Sequence, residues 1–262
     1  MSAAVAVNAH MRRASAVVVL AAAVVACAAC GGQEQAVGAR PATTQVPASE
    51  PAPAPSPEIR PASTPELEGS LFAAVRADDA DAARAALQGG AALEAGGDGG
   101  RTPLVAAAKS NSVNTARVLV AAGADVNAKD DMEDSAFLYA GAEGYDEILA
   151  LTLTLAHGAD VSATNRFGGT ALIPAAEHGH ASTVRMLIGA GVPVNHVNEP
   201  GWTALQEAVV YGDGSARYLD VIGQLLAAGA DPSIEDSDGR TALENAKRRD
   251  QRAVAALLGE ER

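Results

Sequence analysis

Across 262 residues the chain carries a net charge of −13 and only one Trp, four Tyr and three Phe, which excludes a globule built around one large aromatic core. The acidity disfavours nucleic acid as a partner, because affinity there comes mainly from neutralising phosphates with cations. Both cysteines, Cys27 and Cys30, precede the part of the chain that reads as globular, so no disulfide framework is available to it.

Residues 1–26 read as a targeting segment. Arg12 and Arg13 form a positive region, Ala14 to Ala26 is apolar throughout, and the run ends in Val24-Val25-Ala26-Cys27. It resembles a bacterial lipoprotein signal, which implies Cys27 as the lipidated N-terminus after cleavage. Cys30 is the competing site, although its third preceding residue is Cys27 rather than a bulky aliphatic. A plain secretory signal and an uncleaved anchor are the other readings; a spanning helix needs roughly 20 apolar residues. Met11-Arg12-Arg13 would make a cleaner start than Met1.

Residues 27–65 read as a tether. Pro41, Pro47, Pro51, Pro53, Pro55, Pro57, Pro61 and Pro65 recur among Ala, Ser, Thr and Glu, with almost nothing to bury. Such composition favours extended, solvated conformations and acts as a spacer. A Pro-Ala peptide ligand is the sharper alternative.

From Glu66 onward the chain writes one unit several times. Between Thr170 and Asn195 a Thr able to cap a helix precedes Leu172, Ala175 and Ala176 at helical spacing, and Gly179 stops the run. Val184, Leu187 and Ile188 then form a second apolar stripe, closed by Gly191. The capping register recurs at Thr102, Ser135, Thr170, Thr203 and Thr241, at intervals of 33, 35, 33 and 38 residues. The closing glycine recurs at Gly90, Gly123, Gly158, Gly191 and Gly229 with the same intervals. Neither helix of a unit is long enough to be stable alone, so each needs the next unit as a neighbour.

Gly100-Arg101-Thr102-Pro103-Leu104, Gly123-Ala124-Asp125-Val126-Asn127 and Gly239-Arg240-Thr241-Ala242-Leu243 are similar to the signature of the ankyrin repeat. The resemblance implies an all-α ankyrin-repeat solenoid over residues 66–262, with repeats at about 66–98, 99–131, 132–166, 167–199, 200–237 and 238–262. The first and last read as caps. The first keeps Arg76, Asp78, Asp79 and Asp81 polar around Leu71, Ala74 and Val75; the last has an inner face of Ala253, Val254, Leu257 and Leu258.

Four departures stand out. Glu133 occupies a hairpin-tip register where the other tips have Gly100, Gly168, Gly201 and Gly239, so that turn takes another shape or carries strain. Pro174 stands near the fourth position of its helix, where it removes a backbone hydrogen bond. The third repeat has two extra residues around Leu151 to Leu155, and the fifth has five around Asp213 to Arg217, between its helices.

Candidate chemistry is thin. Asp236-Ser237-Asp238-Gly239 looks like the start of a calcium loop, but Arg240 stands where a ligand is needed and an ordinary turn is the better reading. Glu177-His178-Gly179-His180 offers metal-ligand types, against which stands His180 at a register where ankyrin repeats often carry a structural histidine. Gly96-Gly97-Asp98-Gly99-Gly100 lacks the strand and Lys-Ser/Thr of a phosphate loop. No cofactor, metal or catalytic set is expected.

The partner is expected to be a protein. From Glu66 onward 15 Lys or Arg stand against 29 Asp or Glu, a net −14, which serves solubility or steers a basic surface inward. Ankyrin stacks usually grip partners with hairpin tips and the groove side of the first helices. In this register Phe167 and Trp202 fall at tips and Tyr139 and Tyr211 on the groove side, with Glu143, His178 and Glu207 beside them. Such aromatic anchors ringed by polar groups resemble an interaction hot spot; the plainer reading packs the rings between fingers. The expectation is therefore a non-enzymatic protein-binding module, monomeric, lipid-anchored at Cys27 on the periplasmic or extracytoplasmic face of a bacterial envelope membrane. Two alternatives are a chaperone-like protector of a secreted enzyme without a fixed interface, and a small-ligand receptor or enzyme.

Overall fold

The computed structural model describes residues 63–154 and 158–259. The expected signal segment, Cys27, Cys30 and the tether up to residue 62 lie outside them. Among the described residues twelve α-helices form six pairs: α1 (Pro65–Ala77) with α2 (Ala80–Gln88), α3 (Pro103–Lys109) with α4 (Val113–Ala121), and α5 (Ala136–Glu143) with α6 (Asp146–Thr152). α7 (Leu172–Glu177) pairs with α8 (Ala181–Gly189), α9 (Ala204–Val210) with α10 (Ala216–Ala227), and α11 (Ala242–Arg248) with α12 (Arg252–Gly259). Odd-numbered helices pack on odd, even on even, repeat by repeat, which makes an inner and an outer row. No described helix is long and apolar enough to cross a membrane.

Local chemistry sets the start of each inner helix. Thr102, Ser135, Thr203 and Thr241 accept the backbone N–H three residues on, and Gln206 and Glu244 return the bond to complete capping boxes. Thr170 does not cap, contrary to the expectation. Elsewhere the cap carbonyl receives the amide four residues on, as Glu207 to Thr203, but that position here is Pro174, which has no N–H. The turn tightens instead, Ile173 N–H bonding the Thr170 carbonyl at 3.1 Å, and Thr170 Oγ1 is left buried without a partner among the described residues.

The core is a ladder of Leu71, Leu104, Phe137, Leu172 and Leu205, all at most 1% exposed, lined by alanines. Small residues let the layers close up: a Cβ on Gly141 would lie 2.8 Å from that of Ala171. Polar side chains then tie each layer to the next. Asn127 donates to the Gly158 carbonyl at 3.2 Å and accepts from Asp160 N–H at 2.8 Å, and Asn195 repeats this with Gly229 and Asp231.

The Glu133 turn keeps the shape of its neighbours. Its φ is 61°, against 68° at Gly168 and 72° at Gly239, so a side chain is held where glycine is at ease. The five extra residues of the fifth repeat do not all lie between the helices. α10 has 12 residues against 9 in α8, so much of the insertion lengthens the outer helix at its start. In α12 Val254 and Leu258 are buried and Leu257 packs against the core, but Ala253 is exposed, contrary to the expectation, because its register faces outward, as Asn114 and Ser182 do in α4 and α8.

Candidate groove on repeats three to five

The inner helices and hairpin tips of the middle repeats enclose a groove of 520 Å³. Its lining includes Tyr139, Glu143, Phe167, His178, Glu207 and Tyr211, six of the seven residues expected from sequence. Trp202 is not on that lining. It is half-buried beside Tyr211, ring centroids 5.9 Å apart, and Tyr211 is the more exposed ring of the two. Tyr211 is 58% exposed and Phe167 51%, the latter under the Arg166 guanidinium at 4.5 Å.

Each tip is shaped by an Asp or Asn whose side chain caps its own turn. Asp130, Asn165, Asn198 and Asp236 each accept backbone N–H groups from the turn through Oδ1. The candidate calcium segment is thus an Asx turn: Asp236 Oδ1 takes the Asp238 and Arg240 amides, and Oδ2 takes Asn245 Nδ2 at 2.7 Å. No group of three metal-ligating side chains occurs among the described residues. His178 Nδ1 donates to the Ala142 carbonyl at 3.0 Å, so that ring bridges α7 to α5. His180 packs over Gly144 and lies edge-on to His178 at 5.6 Å; burial, then the charge of His178, lowers its pKa.

At one end of the groove Lys109 Nζ meets Asp134 at 2.7 Å and Asp130 at 3.2 Å and lies 4.4 Å from the Tyr139 ring centre. Burial works against that ammonium, but its hydrogen bonds to Asp134 and Asp130 outweigh it and hold its pKa above the ordinary value. Tyr139 titrates high, through burial and then the charge of Glu143. At the other end Glu207 is 7% exposed; burial, then the charge of Glu177, pushes its pKa up to about 7. A depression of 370 Å³ lined by Phe72, Arg76, Arg101 and Lys109 lies on the first inner helices, so the inner row is basic towards repeats one and two and acidic towards four and five.

Sequence reasoning missed Lys109, Met132, Arg166 and Pro200, all on the groove lining. Met132 and Pro200 stand three residues before a cap, as Phe167 does, so the tip register alone would have found them.

The ankyrin repeat profile, described as three copies of the repeat, matches residues 63–130 and 137–236. The chain belongs to the ankyrin repeat family. It is 32% identical over 197 residues to the ankyrin repeat protein YahD of Escherichia coli (strain K12), covering 75% of this chain and 97% of that one. Among solved structures, an ankyrin repeat domain from Acinetobacter baumannii AYE is 49% identical, with a TM-score of 0.69 over 72% of this chain and 95% of the other. The ankyrin repeat protein EF0377 is 37% identical, with a TM-score of 0.70 over 74% and 98%. Ankyrin repeats in general mediate protein–protein interaction, and the fold is typically a non-enzymatic module.

Proposed function

We propose that this ankyrin repeat protein is a non-enzymatic adaptor of the bacterial cell envelope, lipid-anchored through Cys27, that holds a protein in the groove of repeats three to five. The observation that carries the groove reading is that two of only eight aromatic rings, Phe167 and Tyr211, stand more than half exposed on one lining. An exposed ring gives up apolar area to water that a partner would cover. The carboxylates of Glu143, Glu177 and Glu207 along the same stretch favour a partner that is basic where it meets repeats four and five. The apolar run before Cys27 and the proline-rich segment after it support a tethered protein.

The test is crosslinking in native envelopes, then binding by Tyr211→Ala. That change is expected to weaken the recovered partner by about 2 kcal/mol or more while barely moving the melting temperature, since the ring supports no layer. Unchanged binding would overturn the groove reading. Cys27→Ser is expected to move the protein from the membrane to the soluble fraction, and retention of Cys27→Ser with release of Cys30→Ser would reassign the anchor.

A further inference from the structure

We propose that Glu207 is the floor of a subsite that takes one lysine or arginine side chain of the bound protein, a proposal that rests on the groove reading above. Glu207 Oε1 accepts from Asn198 Nδ2 at 3.2 Å, while Oε2 is buried and has no hydrogen-bond partner among the described residues. Burying a carboxylate oxygen without a donor is costly, and native structures rarely leave it so without a use.

Two neighbouring repeats show what is missing. One repeat on, Asn198 and Glu207 are matched by Asp236 and Asn245, so the acid lies in the turn instead: Asp236 receives Asn245 Nδ2 and two backbone amides, and its carboxylate is satisfied. Two repeats back the turn register again holds the buried acid, Asp130, and Lys109 from the preceding inner helix forms an ion pair with its Oδ2 at 3.2 Å beside the Tyr139 ring. The position matching Lys109 in the helix before Glu207 is Glu177. Repeats four and five therefore hold a buried carboxylate, Glu207, on the helix rather than in the turn, and an aromatic ring, Tyr211, but carry the acid Glu177 where the lysine would be. A cation from outside completes the arrangement the chain builds for itself around Lys109. Tyr211 and His178, both exposed, line the groove beside Glu207.

The surroundings fix a proton linkage. Glu207 is faced by Glu177 and His178 on α7, by Asn198 in the hairpin and by Tyr211 at the end of its own helix. From α11 the facing register holds Asn245, already bonded to Asp236, and the cations Lys247, Arg248 and Arg249 are exposed at that helix's end. With its pKa raised to about 7, Glu207 holds a proton below neutrality. A cationic side chain binds the deprotonated form, so association releases a proton and tightens as pH rises from about 5.5 to 8. A His178→Gln background removes the imidazole that faces Glu207, so the linkage read there belongs to Glu207.

The experiment selects short peptides from a display library on the full chain and keeps those whose binding falls in Tyr211→Ala. Each lysine or arginine of a kept peptide is then replaced singly by norleucine or alanine. One replacement is expected to weaken binding at least about tenfold against the parent and less than about twofold against Glu207→Gln. The pH dependence should persist in His178→Gln and vanish when Glu207→Gln is added. Carboxyl ¹³C titration of Glu207 in the unmutated chain is expected to show its apparent pKa falling on peptide addition, a readout independent of how the variants fold. Groove-bound peptides with no basic residue coupled to Glu207 would overturn the subsite and leave the groove standing. Binding that tightens as pH falls would make Glu207 a protonated donor and overturn it equally. If no selected peptide depends on Tyr211, the groove reading itself falls.

Discussion

Replacing Glu207 by Gln should stabilise the folded chain at pH 8 and leave it nearly unchanged at pH 5. The carboxyl is 7% exposed, accepts one hydrogen bond from Asn198 and faces Glu177, and its pKa rises to about 7 from an ordinary 4.5. A raised carboxyl pKa means that the folded state holds the proton more tightly than the unfolded one. Between pH 4.5 and 7 the folded state therefore binds more protons, and stability falls as pH rises through that window. The full difference corresponds to about 3 kcal/mol, at 1.36 kcal/mol per pKa unit, and local water entry trims it. Glutamine keeps the shape and an oxygen for Asn198 without the charge, so the gain should approach a few kcal/mol at pH 8 and fade below pH 5. Urea melts of both proteins at half-unit pH steps read this directly, because the histidines and other carboxylates are common to both and cancel. A gain independent of pH would mean that Glu207 titrates normally, and a loss at pH 8 would mean that its charge is already balanced within the chain.

Two further outcomes test the fold. Leu172→Ala opens a void in a fully buried layer and should cost about 2–5 kcal/mol, with hydrogen exchange rising first in α5 to α10 rather than evenly along the stack; uniform loosening would contradict nearest-neighbour coupling. Glu133→Gly relieves a side chain held at φ 61° and should raise stability by about 1 kcal/mol in denaturant melts, whereas a loss would show that the Glu133 side chain contributes more than its backbone strain costs.

Much of the architecture was legible because its markers are local backbone requirements. A helix start needs an acceptor for its free N–H groups, and Thr or Ser at five registers announced this; a sharp stop needs positive φ, and glycine announced that, as Gly191 at 87° and Gly229 at 90° show. Thr170 failed as a cap for a reason also in the sequence, the proline four residues on, but the two signals had to be combined. The groove lining was legible by register to six residues. What a register cannot give is how far each ring is covered, so Trp202 read as a tip anchor although it is half-buried beside Tyr211 and off the lining. Nor could it give the orphaned oxygen of Glu207, which depends on how Asn198 divides its two side-chain bonds between Trp202 N–H and Glu207.

Three places where local rules are broken lie together. Four described residues other than glycine have positive φ. Asp78, Asn111 and Asp250 sit in turns between the two helices of a repeat and are of the types that bear this conformation best. Glu133 is the one that is neither Asp nor Asn, and it lies in the hairpin tip between Met132 and Asp134, both on the groove lining. Pro174, which breaks a backbone bond at a helix start, lines the same groove, as does the buried and half-satisfied Glu207. On a solenoid whose other repeats follow the pattern closely, a backbone in the wrong region, a missing donor and an unneutralised acid each cost of order 1–3 kcal/mol. Orphaned buried oxygens also occur on and beside the outer row, at Ser215, Gln224 and Gln251, so an unsatisfied atom alone does not mark the groove. What the groove adds is three different departures together, Glu133 at its tip with Pro174 and Glu207 on its lining, as expected where a surface is shaped for something other than the stability of the chain that carries it.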